Sequence, residues 1–143
     1  MDLVVGVTAR SGEYAVTREE VLEFARKYDP QPFHLSDAAA EAHPFFGRLA
    51  ASGWHTCAMA MRLTVDSWAA DDIRPLGGAG IDEIRWLKPV YPGDTIHADY
   101  EVTSVADAKP RPGMRLVRFK TTTLNQDGVA VMTQFSNVIF QAE

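Results

Sequence analysis

The chain has 143 residues, 46% hydrophobic and 23% charged, with a formal net charge of −5. That length fits a single domain spanning residues 1–143, and nothing in the composition suggests repeats, low-complexity tracts or disorder. The acidic balance argues against a nucleic-acid or anionic-membrane surface, and no stretch approaches the ~18 apolar residues of a membrane span. The N-terminus lacks a signal-peptide pattern, so the expected location is the cytoplasm, and the lone Cys57 permits neither an internal disulfide nor a zinc-type ligand spacing.

In chain order, a strand is expected at residues 3–7 or 14–16. Thr17-Arg18-Glu19-Glu20 has the Thr-x-x-Glu form of a capping box, and Val21, Phe24, Ala25 and Tyr28 follow at helical spacing. That helix delivers the chain into Tyr28-Asp29-Pro30-Gln31-Pro32-Phe33-His34. Each proline pushes the residue before it out of the α region, so Asp29 and Gln31 are expected to be extended or in a turn. A fully extended path would hold the Asp29 and His34 Cα atoms about 15 Å apart, so a working carboxylate–imidazole pair demands a bend. An Asp-Pro start with an extended Gln31 favours a type VIII turn. On residue types alone, Asp29 and His34 read more readily as a turn cap and a structural histidine than as a catalytic pair.

Ser36-Asp37 introduces a brief Ala-rich helix that ends near His43-Pro44, and Phe45-Phe46-Gly47 makes an apolar turn. Residues 52–68 form a long, largely buried helix, with Trp54, Ala58, Met61 and Val65 marking one apolar face. Cys57 reads as packing. After the breaker Gly77-Gly78-Ala79-Gly80, strands are expected at 81–90, 95–105, 114–124 and 129–141. Pro92-Gly93-Asp94 and Asn125-Gln126-Asp127-Gly128 supply turns, so four successive strands predict an antiparallel meander. His43 and His97 look incidental. Lys109, Arg111, Arg115, Arg118 and Lys120 form either a solvated hairpin or a phosphate-seeking patch.

Three motifs in this order resemble the MaoC-like dehydratases, which include the (R)-specific enoyl-CoA hydratases. Asp29-Pro30-Gln31-Pro32-Phe33-His34 matches the family's Asp-x-Asn-Pro-x-His, with Gln31 in place of asparagine and Tyr28 in place of the preceding glycine. Phe46-Gly47-Arg48-Leu49-Ala50-Ala51-Ser52-Gly53 matches Phe-Gly-x-x-Ile-Ala-His-Gly, with Ser52 replacing histidine. Trp86-Leu87-Lys88-Pro89-Val90-Tyr91-Pro92-Gly93-Asp94 is similar to Phe-x-x-Pro-Val-x-x-Gly-Asp.

The resemblance implies an α+β hotdog fold, an antiparallel sheet wrapped around a long central helix, acting as a homodimer or higher homo-oligomer. It implies reversible hydration of a trans-2-enoyl-CoA, with Asp29 as base toward water and His34 sharing the proton exchange. CoA enters as part of the substrate thioester, and no metal or redox cofactor is expected. The start of the central helix is the expected oxyanion site, through the Gly53 and Trp54 N–H groups, with Gly53 admitting close approach. Ser52 is read as the helix cap or as a contact to substrate or pair, His55 as a site-lining or structural residue, and Gln31 as a substrate contact. Trp54, Met59, Met61 and Trp68 are read as core or as the wall of an acyl tunnel. The alternatives are a hotdog acyl-CoA thioesterase and a non-catalytic acyl-CoA-binding module.

Overall fold

Caps and turns set the element order: β1 (Thr8–Ala15), α1 (Arg18–Tyr28), α2 (Pro32–Leu35), α3 (Asp37–Glu41), α4 (Gly53–Ala70), β2 (Gly77–Trp86), β3 (Thr95–Asp107), β4 (Met114–Leu124) and β5 (Ala130–Gln141). These come from a computed structural model that describes residues 1–108 and 111–142. Thr17 caps α1 by accepting from Glu20 N at 3.2 Å, and Ser36 caps α3 by accepting from Ala39 N at 3.3 Å. Ser52 caps α4 in the same way, through Trp54 N at 3.3 Å. All three are positions the sequence marks.

The sheet is antiparallel with strand order β1-β3-β4-β5-β2. β3, β4 and β5 form the expected meander, but β2 does not join it beside β3; it pairs with β5 at the far edge. Pro92-Gly93-Asp94 therefore crosses between distant strands. That segment is tied instead to the end of β1, where Gly93 N donates to Val16 O and Val16 N donates to Asp94 O, each at 2.8 Å. β3 consequently starts against β1.

β2 also begins earlier than expected, because Gly77 to Gly80 pair with β5 rather than breaking the strand. Backbone pairing needs no side chain, and the ladder absorbs the glycines through register shifts, one of them beside Gly80 at φ +151°. β1 runs from just past the first stretch anticipated for an N-terminal strand into the second, taking in Tyr14 and Ala15. Its bulge is closed by Ser11, whose Oγ accepts from Ala98 N at 2.8 Å.

β3 alternates Ile96, Ala98, Tyr100 and Val102 toward the core, and β4 does the same with Val117, Phe119, Thr121 and Thr123. α4 lies over this face and divides the core in two. Met59, Ala60 and Leu63 pack with Leu49, Ile96 and Met132, while Trp68 packs with Tyr100, Phe119 and Phe140. The helix is less enclosed than its composition suggests. Trp54, Met61 and Val65, on the face marked in the sequence, are 58%, 48% and 46% exposed, because the core takes the side carrying Thr56, Met59, Leu63 and Trp68. Among the described residues no helix is long and apolar enough to cross a membrane.

Candidate active site

Pro30 stops α1 at Tyr28 and leaves Asp29 as its C-cap, at φ −149° and ψ 66°. The bend at Pro30 is tighter than the type VIII turn anticipated. Gln31 N donates to Asp29 O at 2.8 Å, closing a three-residue turn. Pro32 then opens the one-turn helix α2, where its missing N–H costs nothing, and this turn carries His34 back toward Asp29. The stretch 49–52, buried and tied to the β2–β3 connection by Ala51 N donating to Val90 O at 2.8 Å, brings up Ser52 and the start of α4.

Asp29 Oδ2 and His34 Nε2 are 3.5 Å apart. Asp29 is held by two donors: the Gln31 amide gives Nε2–H to Oδ1 at 2.6 Å, and the Ser52 hydroxyl gives its proton to Oδ2 at 2.7 Å. Ser52 therefore fills both roles expected of it, cap and contact to the pair. Burial pushes the Asp29 carboxyl up, but the Ser52 and Gln31 hydrogen bonds and the nearby His34 outweigh it and hold it below the ordinary 3.8. On the other ring nitrogen, His34 Nδ1 lies 2.8 Å from Ala50 O. A carbonyl can only accept, so Nδ1 carries the hydrogen and Nε2 is the nitrogen presented to Asp29. Phe33 and Phe46 buttress the His34 ring at 4.6 and 5.5 Å. His43, incidental by sequence, packs behind both of these phenylalanines.

A cavity of about 600 Å³ opens over the pair, lined by Asp29, Gln31, His34, Gly53, Trp54 and Trp86 among others. Trp86 is the residue that sequence reasoning missed. Close approach at Gly53 is made by its indole rather than left open for substrate: a Cβ at residue 53 would lie 2.5 Å from Trp86 Cε2, and Trp86 Nε1–H donates to Gly53 O at 2.9 Å. Of the two expected oxyanion donors, Trp54 N–H is engaged by Ser52 Oγ. The Gly53 N–H, which has no intrahelical acceptor, is the better placed.

Replacing Ser52 with Ala is expected to cost about 1 kcal/mol of stability through loss of the cap. It also removes a donor to Asp29, so the carboxyl pKa rises. Urea unfolding and an NMR titration of the Asp29 carboxyl check the two halves.

The structure leaves His55 outside this group. Its ring stacks on Phe24 of α1 at 4.8 Å and 7°, and its Nδ1 is buried without a hydrogen-bond partner among the described residues. Burial lowers its pKa from 6.5, with Glu20 opposing. The unfolded chain then takes up a proton that the folded chain resists, so stability is full above about 6.5 and declines as pH falls through it. A His55→Phe variant is expected to lose less stability than the parent between pH 7.5 and 5.5, read from urea midpoints.

Of the basic segment, Arg118 is neutralised by Asp82 at 3.3 Å and lies over the Phe135 ring at 4.3 Å, while Lys109 lies outside the described residues. Among the described residues no three of His, Cys, Asp and Glu are grouped to hold a metal ion.

Residues 6–125 match the family model described as MaoC like domain. The solved structure of a MaoC-like dehydratase from Rhodospirillum rubrum superposes with a TM-score of 0.89 at 38% identity, over 99% of this chain and 94% of that one. YdeM of Bacillus subtilis, an uncharacterized protein, is 27% identical over 132 residues, 91% of this chain and 89% of its own length. Mesaconyl-CoA hydratase of Cereibacter sphaeroides is 34% identical over 76 residues, which are 52% of this chain but 22% of that protein. With the motifs, the antiparallel sheet over a central helix and these matches in agreement, the chain belongs to the MaoC-like dehydratase family and has its hotdog fold.

Proposed function

We propose that the protein is an acyl-thioester hydratase/dehydratase, adding water reversibly across the double bond of a trans-2-enoyl-CoA to give a 3-hydroxyacyl-CoA. The observation that carries this reading is the 3.5 Å approach of Asp29 Oδ2 to His34 Nε2 in a cavity that also holds the first turn of α4. That spacing suits one substrate water hydrogen-bonded to both groups.

Both Asp29 oxygens already accept hydrogen bonds, and its carboxyl sits low, which makes it a weak proton acceptor. We therefore assign the water proton to Nε2 of neutral His34, reversing the roles expected from the sequence. Asp29 aligns the water and stabilises the imidazolium that forms. Water oxygen bonds to C3, charge moves onto the thioester oxygen, and the Gly53 N–H and the dipole of α4 stabilise it there. His34 Nε2–H then returns the proton to C2. Dehydration is the same path reversed. The mesaconyl-CoA hydratase relative supports a CoA thioester as substrate.

The outer edge of β2, unpaired among the described residues, supports assembly as a homodimer. Incubation with trans-2-enoyl-CoA tests the activity. Loss of the conjugated thioester, with a product heavier by one water and its thioester intact, is the expected result. Release of free thiol without hydration would instead indicate a thioesterase, and tight binding without turnover a binding module.

A further inference from the structure

Beside the cavity holding Asp29 and His34 lies a second one of about 700 Å³, between α4 and the β2–β5 edge, with apolar walls from Cys57, Ala58, Met61, Val65 and Ile84. Trp54 lines both cavities. Trp86 lines the first and meets Trp54 edge-to-face, ring centroids 5.2 Å apart at 77°. The pair is seated rather than loose. Trp86 Nε1–H is bonded to Gly53 O, and its ring occupies the space in which any side chain at residue 53 would stand.

We propose that the Trp54–Trp86 pair is the acyl-length determinant, a wall that closes the catalytic cavity against the apolar space beyond and selects short enoyl thioesters. This rests on the hydratase reading. The thioester oxygen would be bound at Gly53 N–H, one residue from Trp54, and C3 would face Asp29 and His34. A lengthening apolar tail therefore has the second cavity as its adjacent apolar refuge, and Trp54 stands at the entrance with Trp86 bracing it. Residue 53 thereby serves twice, through its backbone N–H as donor and through its missing Cβ, which leaves room for the ring that rests on it.

The test compares kcat/KM on four-, six-, eight- and ten-carbon trans-2-enoyl-CoA thioesters for the parent, Trp54→Ala, Trp86→Ala and Trp54→Phe. The readout is the ten- to four-carbon ratio within each protein, so a general loss of activity cancels. The parent is expected to lose at least about tenfold from four to ten carbons, where an open apolar tunnel would gain up to about fourfold per buried methylene. Both Ala variants are expected to raise the ratio at least about tenfold, chiefly through a lower KM for the longest thioester, while Trp54→Phe stays nearer the parent. A parent indifferent to length, or Ala variants that keep the parental ratio, overturns the wall and leaves the hydratase reading standing. A parent inert on all four lengths overturns the hydratase reading and the wall with it.

Discussion

Replacing Asp29 with Asn is expected to lower kcat by about 10³–10⁴, the scale on which a carboxylate that orients and stabilises a catalytic imidazolium contributes, with the fold unchanged. Asn fills the same space and its oxygen still accepts from the Gln31 amide, while the Ser52 hydroxyl rotates to accept from the new NH₂. The negative charge 3.5 Å from His34 Nε2 disappears, and with it the stabilisation of the imidazolium formed when the water proton is taken. Initial rates on an enoyl-CoA, alongside a thermal midpoint matching the parent, measure this. Unchanged turnover in a folded Asp29→Asn protein would remove Asp29 from the chemistry.

Gly53→Ala is expected to have the largest effect on the framework of the site. The new Cβ falls 2.5, 2.7 and 2.8 Å from three indole atoms of Trp86, and backbone strain plays no part because the φ of Gly53 is not in the left-handed region. Trp86, 45% exposed, relieves the clash by swinging outward, which breaks its bond to Gly53 O and its edge contact with Trp54. The expected cost is about 1–3 kcal/mol in urea unfolding, typical of overpacking. A fall in kcat/KM of at least about tenfold should accompany it, since displacement near an oxyanion donor is felt in the transition state. A variant as stable and as active as the parent would show that the Trp86–Gly53 contact is incidental.

Features governed by neighbouring residues are legible in the amino-acid sequence. Thr17, Ser36 and Ser52 announce their helices because a cap is made within three residues of itself. Asp29 and His34 can be paired because two prolines between them limit the chain to few paths. What stays hidden depends on contacts distant in sequence. No local pattern says which sheet edge a strand will join, so succession along the chain puts β2 beside β3 although it pairs with β5. The outward face of α4 is as apolar as the inward one, so its pattern does not disclose the exposure of Trp54, Met61 and Val65. Trp86 reaches Gly53 across 33 residues. The one local clue is a glycine inside the first turn of a helix, which signals something packed against it.

The most direct test of the account is a crystal structure of the Asp29→Asn protein bound to a 3-hydroxyacyl-CoA. The expected complex places the 3-hydroxyl within hydrogen-bond distance of both residue 29 and His34 Nε2, with the thioester oxygen on Gly53 N–H. A ligand whose hydroxyl lies away from His34, or whose thioester oxygen points away from the start of α4, would contradict the assignment of this cavity as the hydration site.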